Sequence, residues 1–394
     1  MTEVPVTVQP ELHEEAVGER PSDSVESSSN RRAFLARASL LSFAIPGASA
    51  SLLACSTERK SGDASRGDTA NATAGDSMPA NAHMNSDSRL DTAVLKDVKH
   101  GATTADAPIS QAASSATLHR IAPELPPIPP GSVQKVHWHA KHVPIRITAD
   151  TVVAAWTFEG EIPGPVLHTR VGDTVEFTLT NDEIVPHSMD FHAAQVDPRL
   201  AFKSVGKGES VTFSFTPKYA GAFMYHCGTA PVLMHIGSGM HGAIIVSPAQ
   251  PLPPAREFVI VQSELHLAPT ANGVRAFDYN KMLSTFPDFV VFNGRPDQYM
   301  KDPIRVKLGD RVRFWVVNAG PTHPCNFHLV GEQFDKVYLG APPASAIPGV
   351  QTWGVAPGGG MVFELQCDVK GEFPFVNHGF GHGQKGGMGI LVVE

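Results

Sequence analysis

A short stretch of the chain carries one thiol, one imidazole and one thioether at fixed intervals. Cys227 is followed by His235 and then by Met240. A thiolate, imidazoles and a long, weak axial thioether are the ligands of a blue-copper electron-transfer site. His226 directly precedes Cys227. Because adjacent side chains of a strand point to opposite faces, His226 cannot bind the same ion, and we predict a second metal centre on the other face.

Residues 186–192, which read PHSMDFH, supply the next candidate ligands. In a strand, Asp190 and His192 share one face while His187 lies on the other. We therefore predict that His187 is the second imidazole of the blue-copper site. We also predict that His192 joins His226 in the second centre.

The outer-face centre also has candidate proton donors. Asp190 lies two residues before His192. A partly desolvated carboxylate beside a metal can be tuned to exchange protons with a ligand of that metal. His328 is a second candidate, with a buried structural histidine as the alternative interpretation. If a third imidazole joins His192 and His226, the centre has three neutral imidazoles and an open position. Such a site suits catalytic copper, which binds a small ligand and receives an electron.

The elements that must hold these residues are strands, and they occur twice along the chain. Residues 170–177 (RVGDTVEF) parallel residues 307–314 (KLGDRVRF), and residues 221–226 (GAFMYH) parallel residues 371–378 (GEFPFVNH). Each half alternates apolar and polar residues with a period of two, between turns rich in Gly and Pro. This pattern indicates an all-β protein built from two tandem β-sandwiches.

A proline-rich join at residues 247–254 separates the two halves of the repeat. It divides the folded sequence into a first sandwich at residues 132–248, which carries the candidate blue-copper ligands, and a second at residues 256–394. The formal net charge of -8 argues against nucleic acid as a partner.

The second half has histidines but no Cys-His-Met loop. Gly379 stands where the first half has Cys227, so this sandwich is predicted to hold no blue copper. His378 aligns with His226 and is the natural third imidazole for the second centre. If His378 cannot reach the first sandwich within one chain, a neighbouring subunit must supply it. A closed ring of subunits then gives each interface one site.

The N-terminal region has the features of an export signal. Arg31 and Arg32 precede a modest apolar stretch at residues 38–54, which indicates a twin-arginine signal over residues 1–55. The stretch ends in LLAC, which resembles a lipoprotein cleavage site with Cys55 as the lipidated residue. We expect a periplasmic or otherwise extracytoplasmic protein whose only membrane contact is that lipid. A cytoplasmic chain with a short buried helix is the alternative.

Residues 56–131 are rich in Ser, Ala, Thr, Asp and Gly and end in a proline-rich run. Such a composition cannot bury a core, so we predict a disordered N-terminal tether with a stiff end. Four cysteines are too few for a disulfide scaffold. Cys325 and Cys367 are predicted to be two buried thiols, with a disulfide formed after export as the alternative.

Over residues 135–394 these motifs resemble the copper-containing nitrite reductases. The resemblance implies two cupredoxin-like Greek-key β-sandwiches, a homotrimer, and two copper ions per subunit. It further implies a small electron-donor protein, a cupredoxin or a cytochrome c, and the one-electron reduction of nitrite to nitric oxide, as in denitrification. The implied type 1 copper ligands are His187, Cys227, His235 and Met240. The implied type 2 ligands are His192, His226 and, across the trimer interface, His378. The implied catalytic residues are Asp190 and His328.

The chain departs from the family pattern in three places. The loop from Cys227 to His235 is one residue shorter than in the best-known members, as in a lipoprotein subgroup. Residues 193–200 replace a glycine-rich stretch, and residues 379–389 are unusually rich in glycine. The last two departures lie near the predicted catalytic copper, so they bear on substrate and rate more than on metal binding.

Two other functions are possible. A laccase-type multicopper oxidase, which reduces oxygen to water, needs His-x-His pairs and a His-Cys-His motif, but Asp190 and Gly228 each stand where one histidine is needed. A non-catalytic blue-copper protein would leave the outer-face histidines unexplained.

The sequence HWH at residues 137–139 resembles an oxidase motif but lies upstream of the turns that such a motif should follow. We interpret His137, His139 and His142 as part of a polar N-terminal strand. An adventitious metal site is the alternative.

Overall fold

The computed structural model describes residues 115–340 and 342–394, which form two β-sandwiches. One sheet of the first sandwich contains strands β1 (Val133–Arg146), β2 (Val152–Phe158), β4 (Thr174–Asn181) and β6 (Ser210–Phe215), in the order β2-β1-β4-β6. The other contains β3 (Leu167–Arg170), β5 (Asp190–Phe191), β7 (Gly221–His226) and β8 (His241–Ser247), in the order β3-β8-β7-β5. Helix α1 (Pro198–Ala201) follows β5, and helix α2 (Val232–Gly237) follows β7.

The second sandwich has a six-stranded and a five-stranded sheet. The larger contains β9 (Arg256–Leu265), β10 (Phe289–Phe292), β12 (Arg311–Gly320), β14 (Phe334–Tyr338), β15 (Ala346–Val350) and β17 (Gly360–Gln366), in the order β10-β9-β12-β17-β14-β15. The smaller contains β11 (Asp302–Val306), β13 (Cys325–Leu329), β16 (Thr352–Val355), β18 (Gly371–Asn377) and β19 (Met388–Val393), in the order β11-β19-β18-β13-β16. Three short helices lie in its loops: α3 (Tyr279–Ser284), α4 (Gln298–Lys301) and α5 (Phe380–Gly383).

The alternation of apolar and polar residues has the structural consequence that the sequence predicts. In β4, Val175, Phe177 and Leu179 are fully buried, while the residues between them are half-buried. They pack with Phe191 and Tyr225 in the core of the first sandwich. Burying each such side chain stabilises the fold by about 1.5–3 kcal/mol. The prediction of an all-β protein with two cupredoxin-like sandwiches is confirmed.

The internal repeat corresponds to a repeated strand pairing. In the first sandwich β1 pairs with β4 in parallel, and in the second β9 pairs with β12 in parallel. The repeated Gly-Asp pair marks a turn at the start of β4 and of β12. Gly172 has φ +90° and Gly309 has φ +88° in these turns, a conformation that glycine adopts without steric cost.

The two sandwiches share an apolar interface. Met224 of β7 and Ile245 of β8 point away from the core of the first sandwich and pack against Val261 of β9 and Trp315 of β12. All four side chains are buried. His226 lies two residues after Met224 on β7, so the second sandwich packs on the same face of this sheet as the outer-face histidines.

Residues 121–125, which lie before the predicted boundary at residue 132, contact the second sandwich. The carbonyl of Pro123 accepts a hydrogen bond from the backbone of Val259, and the backbone N–H of Leu125 donates to Glu257. The hydroxyl of Tyr299 donates to the carbonyl of Ile121. Proline loses its N–H but keeps its carbonyl, so a proline-rich run can still hydrogen-bond to a neighbouring strand.

Some predictions fall outside the described residues, namely the export signal, Cys55 and the tether up to residue 114. Within the described part, no helix is long and apolar enough to cross a membrane. Cys325 and Cys367 are free and buried in the core of the second sandwich, so the prediction of two buried thiols is confirmed. Burial raises the pKa of the Cys367 thiol to about 12, which keeps it protonated and unreactive.

Candidate metal centres

Three ligand side chains meet at one end of the first sandwich. His187 precedes β5, Cys227 follows β7 and His235 lies in α2. Nδ1 of His187 lies 3.1 Å from Nδ1 of His235. Sγ of Cys227 lies 3.2 Å from Nδ1 of His235 and 3.9 Å from Nδ1 of His187. In a tetrahedral site with ordinary metal–nitrogen and metal–sulfur bonds, ligand atoms lie roughly 3.3–3.6 Å apart, so these three atoms already have the spacing of a metal site.

Met240, the predicted axial ligand, belongs to the same buried core as Cys227. Its backbone joins the two neighbouring ligands. Its N–H donates to the carbonyl of His235 at 3.1 Å, and its carbonyl accepts from the N–H of Cys227 at 3.1 Å. These backbone hydrogen bonds therefore close the segment that carries Cys227, His235 and Met240 into a compact loop.

Burial determines the protonation of this first cluster. It lowers the pKa of His187 to about 2 and that of His235 to about 4, so both imidazoles are neutral, the form that binds metals. Burial raises the pKa of the Cys227 thiol, although the backbone N–H of Ser188 points at Sγ from 3.4 Å. A bound cation is needed to offset that burial and hold the thiolate.

His142 contacts the first cluster, which the sequence analysis did not predict. Its Nε2 lies 2.9 Å from Nε2 of His187, and its ring stacks on Trp156 with the planes 6° apart. His137 and His139 also lie on β1, as the predicted polar strand requires, but they bond elsewhere, to Thr180 and Asp182 respectively. β1 pairs with β2 in a register that sets His142 opposite Trp156. Knowledge of that register would have predicted the contact between His142 and the first cluster.

A second cluster lies on the opposite face of β7 and contains Asp190, His192 and His226. The two Nε2 atoms of His192 and His226 lie 3.0 Å apart. Each imidazole is held by its other nitrogen, since Nδ1 of His192 donates to the carbonyl of Gly358 and Nδ1 of His226 to that of Cys227, both at 2.9 Å. This tautomer leaves both Nε2 lone pairs facing one point, as metal-binding imidazoles require.

Asp190 and His226 come together because β5 and β7 pair in register at these two residues. Oδ2 of Asp190 lies 3.8 Å from Nε2 of His226. Burial lowers the pKa of His226, although the carbonyl of Cys227 and the carboxylate of Asp190 oppose the effect. The two clusters are joined by the peptide unit between His226 and Cys227 and by the hydrogen bond across it.

The structure does not bring His378 to the second cluster within the described chain. His378 is exposed at the end of β18, and its backbone N–H donates to the carbonyl of Asn326. Its ring lies 5.1 Å from that of His328. His328 is half-buried, and its Nδ1 donates to the carbonyl of Gln351 at 2.6 Å. The candidate residues for the second metal centre and its chemistry therefore form two groups, one on each sandwich.

Comparisons with known proteins agree with this architecture. A family model described as multicopper oxidase matches residues 139–251. The copper-containing nitrite reductase of Neisseria meningitidis serogroup A is 39% identical over 247 residues, which are 61% of this chain and 64% of that protein. That of serogroup B is 38% identical over 284 residues, which are 69% of this chain and 73% of that protein.

Solved structures give the same result. A copper nitrite reductase from Nitrosomonas europaea matches with a TM-score of 0.62 and 34% identity, over 66% of this chain and 94% of the other. One from Thermus scotoductus matches with a TM-score of 0.61 and 30% identity, over 66% of this chain and 62% of the other. A multicopper oxidase matches with a TM-score of 0.59 and 27% identity, over 66% of this chain and 89% of the other.

Two tandem sandwiches with a buried His-Cys-His cluster in the first define a two-domain copper protein of the multicopper oxidase class. Within that class, this chain belongs to the family of copper-containing nitrite reductases. The resemblance that the sequence motifs indicated is confirmed. The chain spans 64% of the length of the serogroup A relative, which is just under two thirds.

Proposed function

We propose that this protein is an enzyme that reduces nitrite to nitric oxide and water, consuming one electron and two protons per nitrite. The observation that carries the proposal is the covalent link between the two clusters, since Cys227 of the first directly follows His226 of the second. A one-electron reductase needs a group that accepts the electron and a separate group that binds the substrate. Here one peptide unit connects them.

The donor sets of both clusters fit copper. A thiolate with two imidazoles suits a type 1 site, with Met240 as the axial ligand. The two Nε2 atoms of His192 and His226 suit a type 2 site. Copper bound at these sites supplies a one-electron carrier at the first and a Lewis acid for nitrite at the second. We assign His187, Cys227, His235 and Met240 to type 1, and His192 and His226 to type 2.

The third imidazole of the type 2 site is the partner subunit's His378 in this proposal. His378 is exposed in its own chain and lies outside the second cluster. A closed homotrimer gives each subunit one site of this kind, because every interface pairs a first sandwich with a neighbouring second sandwich. The same docking brings the partner subunit's His328 to the site, since His328 and His378 are in ring contact.

Two residues supply the protons. Asp190 is half-buried beside His226 and holds a carboxyl at the position where a small anion meets the imidazoles. The partner subunit's His328 has its Nδ1 proton fixed on the carbonyl of Gln351, which leaves Nε2 to take up and release the second proton. One group on each subunit thus faces the substrate, in keeping with two protons per turnover.

Electrons enter at the type 1 site from a small donor protein, a cupredoxin or a cytochrome c. The segments that carry His187 and His235 also expose apolar side chains. Ile184 is 80% exposed and Val232 is 37% exposed. Exposed apolar side chains above a buried redox centre suit a transient partner, which must bind weakly and leave quickly.

We further propose that the chain is exported by the twin-arginine route and anchored by a lipid on Cys55, so that it works in the periplasm in denitrification. The Arg31-Arg32 pair and the LLAC sequence before residue 56 support this. Labelling with a radioactive fatty acid tests the anchor. Wild type should carry the label, and Cys55→Ser should not.

Copper counting, optical and EPR spectra and a nitrite-dependent nitric oxide assay test the main proposal. We expect two coppers per chain, one intensely coloured, and nitric oxide that forms only when nitrite and a reductant are present. Four coppers with a coupled, EPR-silent pair would instead show a multicopper oxidase. A single coloured copper without nitric oxide would show an electron-transfer protein, and either result contradicts the proposal.

A further inference from the structure

The orientation of one type 2 ligand depends on the second sandwich of its own chain. Nδ1 of His192 donates to the carbonyl of Gly358 at 2.9 Å, and Gly358 lies in the turn between β16 and β17. Gly358 has φ +77°, a conformation that glycine adopts without steric cost, and a Cβ there would lie 3.4 Å from Cε1 of His192. The direction in which the ring of His192 points is therefore set by this turn.

Asn318 of β12 holds the turn in place. Its backbone carbonyl accepts the N–H of Gly358 at 2.8 Å, and its backbone N–H donates to the carbonyl of Gly359 at 2.9 Å. The side chain of Asn318 is completely buried. Its Nδ2 donates to the carbonyls of His323 and Val355, both at 2.9 Å. The support of His192 is thus tied to the interior of the second sandwich.

The segment that carries His378 is held by a second buried amide, that of Asn377 at the end of β18. Oδ1 of Asn377 accepts the N–H of Gly379 at 2.9 Å and that of Asn326 at 3.3 Å. The carbonyl of Asn326 accepts the N–H of His378 at 2.7 Å. The Asn377 side chain therefore fixes the backbone around His378.

Gln262 of β9 joins these two amides. The parallel pairing of β9 with β12 sets Gln262 opposite Asn318. Nε2 of Gln262 donates to Oδ1 of Asn318 at 3.4 Å, and its Oε1 accepts from Nδ2 of Asn377 at 2.8 Å. All three side chains are completely buried, and paired polar groups in a core restrict it to one arrangement. A continuous chain of hydrogen bonds thus runs from the support of His192 to that of His378.

We propose that the amide chain of Asn318, Gln262 and Asn377 positions both imidazoles that one subunit contributes to type 2 sites: His192 in its own site and His378 in the site of a neighbouring subunit. The proposal rests on the function proposed above, which assigns His378 to the neighbouring site. The three amides are positioning residues, since none of them belongs to the second cluster. Partners of ligating groups usually change metal affinity or activity by about 10- to 100-fold, and here one set of hydrogen bonds serves both ligands.

Gln262→Met breaks the amide chain at its centre and leaves both ends with another partner. Methionine is a flexible, unbranched side chain that fills a core position and removes the donor and the acceptor. Oδ1 of Asn318 still accepts the N–H of Gly320 at 3.0 Å, and Nδ2 of Asn377 still donates to the carbonyl of Pro324 at 3.0 Å. A change at both ends therefore reports the loss of the link.

Hydrogen–deuterium exchange of the full-length protein, measured by mass spectrometry, shows whether the two ends depend on the link. In Gln262→Met the backbone amides of residues 356–360 and of residues 377–379 should both exchange about 3- to 10-fold faster, the effect of losing one hydrogen bond. Gln298→Met is the matched control, because Gln298 is also buried in the second sandwich and its amide bonds backbone groups outside the amide chain. It should leave both segments at the wild-type rate.

The copper-loaded protein shows whether the turn positions His192. A Cβ at Gly358 meets the ring of His192, whereas Gly309 has a similar φ, +88°, and a Cβ there meets nothing within 4 Å. Gly358→Ala and Gly309→Ala therefore carry the same kind of backbone strain, and only the first moves the ligand. By chelator competition, Gly358→Ala and Gln262→Met should bind type 2 copper about 10- to 100-fold more weakly. Their type 2 EPR hyperfine splitting should change while the blue absorption does not. Gly309→Ala and Gln298→Met should match wild type.

The proposal is wrong if exchange in Gln262→Met stays at the wild-type rate, if only one of the two segments exchanges faster, or if the type 2 copper of Gln262→Met matches that of Gln298→Met. Gly358→Ala keeps the test decisive if Gln262→Met does not fold, because it leaves the core side chains unchanged. A type 2 signal equal to that of Gly309→Ala then contradicts the proposal. Exchange and copper binding are measured without nitrite. A wild-type protein that binds type 2 copper but forms no nitric oxide contradicts the proposed function alone.

Discussion

At the scale of single residues, His187, His192 and His226 are each oriented by the group that contacts their other ring nitrogen. Backbone carbonyls hold Nδ1 of His192 and His226 and so aim their Nε2 atoms at one another. His187 has the opposite orientation: its Nδ1 faces His235 in the first cluster, and its Nε2 contacts His142. For His187 and His192 the choice between the two ring nitrogens is made by His142 and by the carbonyl of Gly358, which lie outside the ligand motifs.

His142→Ala should weaken copper binding at the type 1 site by about 10- to 100-fold, the usual effect of removing the partner of a ligating histidine. With copper on Nδ1, the Nε2–H of His187 donates to His142, and the substitution leaves that buried N–H without its acceptor. Competition titration with a copper chelator, followed by the blue absorption, measures the change. His139→Ala on the same strand is the control, since His139 bonds Asp182 at the surface. Equal affinities in the two variants would contradict the role of His142.

At the scale of secondary-structure elements, strand alternation was sufficient to sort the ligands. The period of two correctly separated His187 from Asp190 and His192, and Cys227 from His226, because these residues lie within or close to the ends of β5 and β7. The contact between His142 and His187 joins residues 45 positions apart. This contact depends on the register of β1 against its neighbouring strands. The local pattern of a single sequence does not specify that register. The packing of residues 123–125 on β9 is long-range in the same way.

The close packing of β7 against β17 gives a prediction about these elements. A Cβ at Gly360 would overlap the backbone carbonyl of Ala222, so Gly360→Ala must push the two sandwiches apart or bend a strand. Overpacking of this kind costs about 1–3 kcal/mol of the free energy of unfolding. Urea unfolding followed by tryptophan fluorescence measures it. Gly206→Ala is the control, because a Cβ there would meet only the end of the Glu209 side chain at 3.4 Å. Comparable losses in both variants would show that the interface is not the cause.

At the scale of the whole molecule, the candidate site is divided between two surfaces of one chain. Asp190, His192 and His226 lie on the first sandwich, while His328 and His378 lie together on the second. Rigid sandwiches packed through a buried apolar interface cannot rotate these groups together without exposing Met224 and Trp315. In the function that we propose, assembly of several chains completes the site, and catalysis is then a property of the oligomer.

Subunit mixing tests this division directly. His192→Ala and His378→Ala should each abolish nitric oxide formation in the homo-oligomer and leave the blue absorption intact, because neither residue belongs to the type 1 cluster. When the two variants are co-expressed with different affinity tags and the mixed oligomers are purified, some interfaces regain a complete site. Such an interface combines His192 from a chain that lacks His378 with His378 from a chain that lacks His192. In a trimer that contains both variants, one of the three interfaces has this composition, so about one third of the wild-type activity should return. A site completed within a single chain predicts no recovery at all, since every chain in the mixture lacks one of its own ligands.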